Sequence, residues 1–130
     1  MDNFFIYVAY FRPAYRDARC HWVMWICTDP EAALGVSFDV EGSTRNWTKR
    51  SSTRHSPAMS NSYGGMVKVG DVPRDELDDV IADISTVRVD NRGENWNCQS
   101  YIMAIMRMLE INGYVYPGQS RSISQRIPQW

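Results

Sequence analysis

The sequence has no marked excess of charge of either sign. Its 130 residues include 14 Lys and Arg and 15 Asp and Glu, which gives a formal net charge of -1. Proteins that bind nucleic acid through the phosphate backbone carry a basic excess or a basic patch. The overall charge therefore gives no support to a nucleic-acid partner, and we expect none.

Long apolar segments are also missing. The N-terminal stretch "MDNFFIYVAYFR" is apolar for only a few residues and lacks the basic region and cleavage site of a secretory signal. No run approaches the ~20 residues of a membrane span. These absences predict a cytoplasmic protein without a membrane partner. Its three cysteines, an odd number, are expected to be reduced thiols in that compartment.

Known phosphate loops and zinc motifs are absent as well. The chain contains neither G-x-x-x-x-G-K nor G-x-G-x-x-G. It has no paired C-x-x-C motifs, and strand alternation is expected to turn Cys20 away from His21 and Cys27. We therefore expect no metal and no cofactor.

The chain does have ample material for a hydrophobic core. Hydrophobic residues make up 44% and aromatic residues 12%, which indicates one folded domain rather than disorder. Aromatic and β-branched runs predict strands over residues 4–12, 20–27, 35–42 and 64–72. Because both faces of the 20–27 run are apolar, we expect it to be a central strand, paired with 35–42 as a hairpin. The polar stretch 43–63 is interpreted either as a short strand near Trp47 or as a mobile loop.

Helical spacing appears only in the second half of the chain. Pro73 is predicted to open a helix whose apolar stripe runs from Leu77 to Ile84. A second helix is predicted from the region of Asn95 or Asn97, either of which can cap it, to Gly113. The resulting class is α+β, an antiparallel sheet of four to five strands packed by two helices. Residues 1–116 would form this domain and residues 117–130 a C-terminal tail.

The stretch "NWNCQSYIMAIMRMLEING" places Cys98 at the start of the second helix. Cys98 shares helical spacing with Tyr101, Ile102 and Leu109, so it should face the sheet from the first turn. The N-terminal end of a helix stabilises a thiolate there. A buried, inert cysteine is the competing interpretation, because free cysteine is among the most buried residue types.

His21 is the candidate base for such a thiol. It is one of two histidines, and it opens a strand in which a polar ring needs a partner. Asp39 lies on the next strand and can orient the ring if it faces the same side. The competing interpretations are a structural histidine and an outward-facing Asp on an edge strand. His55, in the polar stretch, is interpreted as solvated.

"HW" at the start of a strand, an acidic position on the next strand and "NC" at a helix start resemble the circularly permuted papain-like group. The similarity is to its lecithin:retinol acyltransferase-like and NlpC/P60-like thiol enzymes, and it covers about half the chain. The resemblance implies Cys98 as nucleophile, His21 as base and Asp39 at the orienting position, where the acyltransferases have a second histidine. Gln99 departs from their Glu, and their membrane anchor is absent. The sequence from Asn95 to Val115 also resembles a segment of uncharacterised fungal proteins that have an HW strand and a WNC helix start.

Other residues are candidates for binding. Trp96, Trp47 and Tyr7 are predicted to contact substrate, and the Cys98 backbone N–H to donate to an oxyanion. A basic cluster in the 45–55 stretch is interpreted either as a solvated loop or as a contact for a carboxylate or a phosphopantetheine-bearing substrate. It consists of Arg45, Lys49, Arg50, Arg54 and His55.

These patterns predict a cysteine-dependent hydrolase, acyltransferase or cyclase. Its substrate would be a small-molecule or carrier-bound acyl thioester, ester or amide, and the fungal resemblance favours small-molecule biosynthesis. The alternative is a non-catalytic binding domain that holds a hydrophobic small molecule in a Trp-lined cleft.

Overall fold

The computed structural model describes residues 3–13 and 18–130. That part of the chain contains five strands followed by three α-helices. The strands are β1 (Asn3–Phe11), β2 (His21–Asp29), β3 (Leu34–Ser43), β4 (Asn46–His55) and β5 (Tyr63–Pro73). The helices are α1 (Leu77–Ser85), α2 (Cys98–Ile111) and α3 (Gln119–Arg126). The predicted α+β class is confirmed.

The strands form one sheet in the order β4-β3-β2-β1-β5. Every neighbouring pair is antiparallel, and β2 and β3 form the expected hairpin. β2 lies at the centre, and its residues from Trp22 to Cys27 are all buried. The prediction of a central strand covered on both faces is confirmed, because its continuous apolar run suits burial on two sides.

The two faces of the sheet are packed differently. Trp22, Met24 and Ile26 of β2 pack with Ile102 and Leu109 of α2 in the main core. Alternate residues point the other way, and there Val23 packs in a smaller cluster with Ala9 and Phe11. His21 and Val23 are two residues apart in β2, so their side chains leave the strand on the same side. The His21 side chain therefore points to the sheet face opposite the helices.

The 43–63 stretch contains a full strand, β4, and not a mobile loop. Eight of its ten residues are exposed. β4 is the edge strand and pairs on one side only, with β3. Backbone pairing therefore specifies it without an apolar face, and sequence periodicity gives no signal for such a strand. The basic 45–55 segment is accordingly a strand with a defined register from Asn46 onward.

Two predictions about the helices are wrong. Pro73 ends β5 instead of opening a helix, and a single 3-10 turn, Arg74–Glu76, precedes α1. Residues 117–130 are not a tail, because they form α3 and bury Ile123 and Ile127 in the core. Gly118 permits this packing by adopting a left-handed φ of 85° at the start of α3.

α2, with 14 residues, is the longest helix in the described part of the chain. No helix there combines the length and apolar character needed to cross a bilayer.

Candidate active site

Cys98 is the first residue of α2, and the helix cap fixes its position. The side chain of Asn97 accepts hydrogen bonds from the amides of Gln99 and Ser100, at 2.9 and 3.4 Å. The Ser100 hydroxyl accepts in return from the amide of Asn97 at 3.0 Å, which completes a capping box. Of the two predicted caps, Asn97 is therefore the one used. These bonds do not engage the Cys98 amide, which is the donor expected for an oxyanion.

The Cys98 side chain lies at the bottom of a small pocket. The residue is 4% exposed, and its thiol donates to the backbone oxygen of Cys20, with Sγ and O 3.9 Å apart. The pocket has a volume of about 350 Å³, and His21 and Trp47 also line it. The thiol and the imidazole therefore share one cavity.

His21 and Asp39 are in direct contact. Nε2 of His21 lies 2.7 Å from Oδ2 of Asp39, and Asp39 is 4% exposed. The alternative of an outward-facing Asp on an edge strand is wrong, since β3 lies between β2 and β4 and buries this side chain. Nε2 is occupied by Asp39, which leaves Nδ1 as the ring nitrogen available to a second partner.

The surroundings of His21 favour its protonated form. Burial by itself lowers the pKa of the ring, but hydrogen bonding and charge interaction with Asp39 and Cys98 raise it, and the net pKa is about 9. The ring is therefore an imidazolium at neutral pH. It lies between a carboxylate and a thiol, with 32% of its side chain exposed.

Arg50 completes the polar cluster, and sequence reasoning missed this role. It lies opposite Asp39 in the β3–β4 register. Its Nε donates to Oδ1 at 3.0 Å and its Nη2 to Oδ2 at 2.5 Å, a bidentate contact. Burial raises the pKa of Asp39. The hydrogen bonds from His21 and Arg50 lower it by a larger amount, so the net pKa lies below its ordinary value. The carboxylate is held ionised by two cations.

The predicted tryptophans have different places. Trp47 lines the Cys98 pocket, and its indole Nε1 donates to the backbone oxygen of Trp96 at 3.0 Å. The Trp96 ring packs edge-on against Tyr101, with centroids 6.2 Å apart. Asn91 accepts from the Trp47 amide at 2.8 Å and donates to the Trp47 carbonyl at 3.1 Å. These bonds fasten the segment before α2 to the edge strand β4.

Comparison with protein families identifies the family of this chain. Residues 6–116 match the model of a family described as of unknown function, DUF6540. The chain belongs to the DUF6540 family. No curated protein and no solved structure is significantly similar to it. The match spans β1 to β5, α1 and α2, and so contains Cys98, His21, Asp39 and Arg50.

In this DUF6540 domain, Tyr7 is not brought together with Cys98. It lines a separate pocket of about 260 Å³ with Trp25 and Cys27. Its ring centroid lies 5.5 Å from that of Trp25. The predicted contact between Tyr7 and a substrate at Cys98 has no counterpart in this geometry.

The basic cluster of β4 is largely engaged within the DUF6540 domain. Arg45 pairs with Glu94 at 3.5 Å. Lys49 donates to the backbone oxygen of Ser85 at 2.9 Å. Arg50 is bound to Asp39. The loop interpretation is wrong because most of this segment is the strand β4, but half or more of the Arg45 and Arg50 side chains is exposed, so they have protein partners and remain solvated.

The C-terminal segment, which lies outside the family match, makes hydrogen bonds to residues next to His21 and to a residue next to Cys98. The backbone oxygen of Gln129 accepts from the Cys20 amide at 2.8 Å and from Gln99 Nε2 at 2.9 Å. Gln99 also donates to the Cys20 oxygen at 2.9 Å. Trp22 Nε1 donates to the oxygen of Pro128 at 2.9 Å. The residues next to His21 and Cys98 are thus tied together through this segment.

Neither a disulfide nor a metal cluster involves these side chains. Cys20, Cys27 and Cys98 are free and buried. Within residues 3–13 and 18–130, no group of three or more His, Cys, Asp and Glu side chains is placed to hold a metal ion.

Proposed function

We propose that this protein is a cysteine-dependent hydrolase or acyltransferase with a circularly permuted papain-like core. The observation that carries the proposal is the placement of His21 between Asp39, at 2.7 Å, and Cys98, in a shared pocket. A ring with a pKa raised to about 9 is an imidazolium at neutral pH, and an imidazolium stabilises a neighbouring thiolate. The substrate class is an acyl thioester, ester or amide.

The first half of the reaction forms a thioester. The Cys98 thiolate attacks the acyl carbon, a C–S bond forms, and the carbonyl π electrons move to oxygen. The backbone N–H of Cys98 donates to this oxyanion. As the intermediate collapses, the bond to the leaving group breaks, and the leaving group takes a proton from Nδ1 of His21.

The second half releases the acyl group. Water or another acceptor gives a proton to the now neutral His21 and attacks the thioester carbon. The C–S bond breaks, and the thiolate of Cys98 returns beside the imidazolium. Asp39 holds the ring orientation through Nε2 in both halves. Hydrolysis and acyl transfer differ only in the acceptor.

The chain order and topology support the papain-like assignment. The base opens a central strand, the carboxylate lies on the adjacent strand, and the nucleophile begins a helix packed on the same sheet. This is the arrangement that the resemblance of the HW and NC motifs implies.

One observation favours a second candidate, a non-catalytic domain that binds an apolar molecule. Cys98 is only 4% exposed, and its thiol hydrogen-bonds to a backbone oxygen. Trp47 and Val40 supply apolar walls to the same pocket. In this candidate the cysteine is a structural part of the pocket.

Alkylation of Cys98 by iodoacetamide at pH 6.5 separates the two candidates. We expect His21→Ala to slow alkylation at least about tenfold, because the thiolate loses its cationic partner. His55→Ala is the matched control, since it removes the other histidine and should leave the rate unchanged. Peptide mass spectrometry assigns the label to Cys98 rather than Cys20 or Cys27. Equal rates in wild type and His21→Ala would rule out the thiolate–imidazolium pair and favour the binding domain.

A further inference from the structure

A larger pocket, here called the open-face groove, adjoins the candidate active site. It has a volume of about 560 Å³, within the range of small-molecule sites. It lies on the sheet face opposite the helices. Arg19, His21 and Arg50 line both this groove and the Cys98 pocket, so the two cavities meet at His21.

The charges around the open-face groove are strongly one-sided. Among the residues that the structure describes, its ionised lining consists of Arg12, Arg19, Arg50 and the His21 imidazolium against one carboxylate, Asp39. The protein as a whole has a formal net charge of -1. A cationic concavity on a near-neutral protein concentrates anions.

Two of these cations have no compensating carboxylate in the described structure. Of the described Asp and Glu side chains, none lies within salt-bridge distance of Arg12 or Arg19. Arg12 donates to the neutral backbone oxygen of Asn61 at 2.8 Å. The Arg19 guanidinium lies over the Trp130 ring, 5.6 Å from its centroid. Neither of these two contacts neutralises the charge of the arginine.

The rest of the lining suits an oxyanion attached to a carbon chain. Ser37 and Ser52 are cross-strand neighbours and both line the groove. Ser37 is buried, with 7% of its surface exposed. Phe11 and Val23 add apolar surface to the lining of the groove. Hydroxyl and guanidinium groups donate to carboxylate or phosphate oxygens, and the apolar residues contact methylene groups.

We propose that the open-face groove binds the carboxylate or phosphate of an acyl substrate whose carbonyl reaches Cys98. The proposal that the bound anion is part of a substrate rests on the proposed function. The proposal that the groove binds an anion does not. The anion contact that the sequence suggested for the 45–55 segment thus moves mainly to Arg12, just after β1, and Arg19, just before β2.

Acylation with two matched esters tests the substrate assignment. Mono-p-nitrophenyl glutarate carries a free carboxylate, and its methyl ester has the same chain without the charge. We expect wild type to release p-nitrophenolate about tenfold faster from the anionic ester, equivalent to one charge-assisted hydrogen bond. The double variant Arg12→Gln/Arg19→Gln should lose this preference, which is measured as the ratio of the two ester rates within each protein, because Arg19 also lines the Cys98 pocket and its loss can change both rates. Arg88→Gln/Arg107→Gln makes the same charge change at exposed positions and should keep the preference.

Equal rates for the two esters in wild type, or a preference that survives Arg12→Gln/Arg19→Gln, would overturn the assignment. If neither ester acylates wild type, the proposed function fails, and the groove is still tested by calorimetric titration with glutarate and with inorganic phosphate. Binding of glutarate or of phosphate that Arg12→Gln/Arg19→Gln abolishes supports the anion site and identifies its preferred oxyanion. Absence of binding by both anions overturns it.

Discussion

The ring Nε2 of His21 lies 2.7 Å from Oδ2 of Asp39, although 18 positions separate the two residues in the sequence. Both groups are charged and largely removed from water. Desolvation alone would favour the neutral form of each. Their contact reverses that preference in both, because each stabilises the charge of the other. The protonation state of the candidate base is thus set by a neighbouring strand.

Asp39→Asn should lower the pKa of His21 below its wild-type value of about 9. The substitution keeps the shape of the side chain and removes the negative charge that favours the imidazolium. An NMR titration of the His21 ring protons measures the change. Glu31→Gln is the control, since this exposed carboxylate lies in the connection between β2 and β3, at the other end of β2 from His21, and its loss should leave the His21 titration unchanged. An unaltered His21 titration in Asp39→Asn would contradict the assignment of Asp39 as the main electrostatic partner.

The contribution of His21 to stability should decline at alkaline pH. Its folded-state pKa, about 9, is above the ordinary value of 6.5, so protonation favours folding. The contribution is complete below pH 6.5 and is lost as the pH rises through about 9. The measurement is the free energy of unfolding in urea for wild type and His21→Gln across this range. The difference between the two should shrink with rising pH, and a constant difference would refute the raised pKa.

Arg50→Met should lower the free energy of unfolding by about 1 to 3 kcal/mol, because buried Asp39 loses a bidentate charged partner. Half of the Arg50 side chain is exposed, which favours the lower part of that range. Arg54→Met changes an exposed arginine of the same strand and should have a much smaller effect. Equal losses in the two variants would show that the Arg50–Asp39 contact adds no specific stability.

Asn91→Ala should destabilise the protein by about 1 kcal/mol. Asn91 makes two hydrogen bonds to the backbone of Trp47, and these hold the segment before α2 on β4. Amide hydrogen exchange should become faster from residue 91 to the start of α2. Asn95→Ala, an exposed position four residues further on, serves as control. Unchanged exchange in Asn91→Ala would show that the Asn97 cap alone fixes Cys98.

Some of this arrangement is predictable from the sequence. Apolar runs identify the central strand, and helical spacing turns Cys98 toward the sheet. His21 stands out because an imidazole in an apolar run needs a partner. The pairing of His21 with Asp39 follows from the β2–β3 hairpin. The burial of Asp39 does not follow from it, because Asp39 is buried only when β4 pairs with β3.

The features that the sequence did not reveal share a physical cause. β4 and α3 are specified by pairing and by a few anchors, such as Ile123, and not by a repeating apolar pattern. Arg50 acquires its role only through the β3–β4 register, which places it opposite Asp39. Without β4 as a strand, that register cannot be derived, so the third member of the charged cluster stays hidden in a basic stretch.

The order of the strands also bears on how this protein folds during its own synthesis. β2, β3 and β4 are consecutive neighbours, and His21, Asp39 and Arg50 meet through contacts that span only 18 and 11 residues. Short-range contacts of this kind form early, and a chain emerging from the ribosome presents its N-terminal part first. Cys98 lies 78 residues beyond Cys20, whose backbone oxygen accepts a hydrogen bond from the Cys98 thiol. We therefore expect the contacts among His21, Asp39 and Arg50 to form before those of Cys98, which require α2 to dock on the sheet.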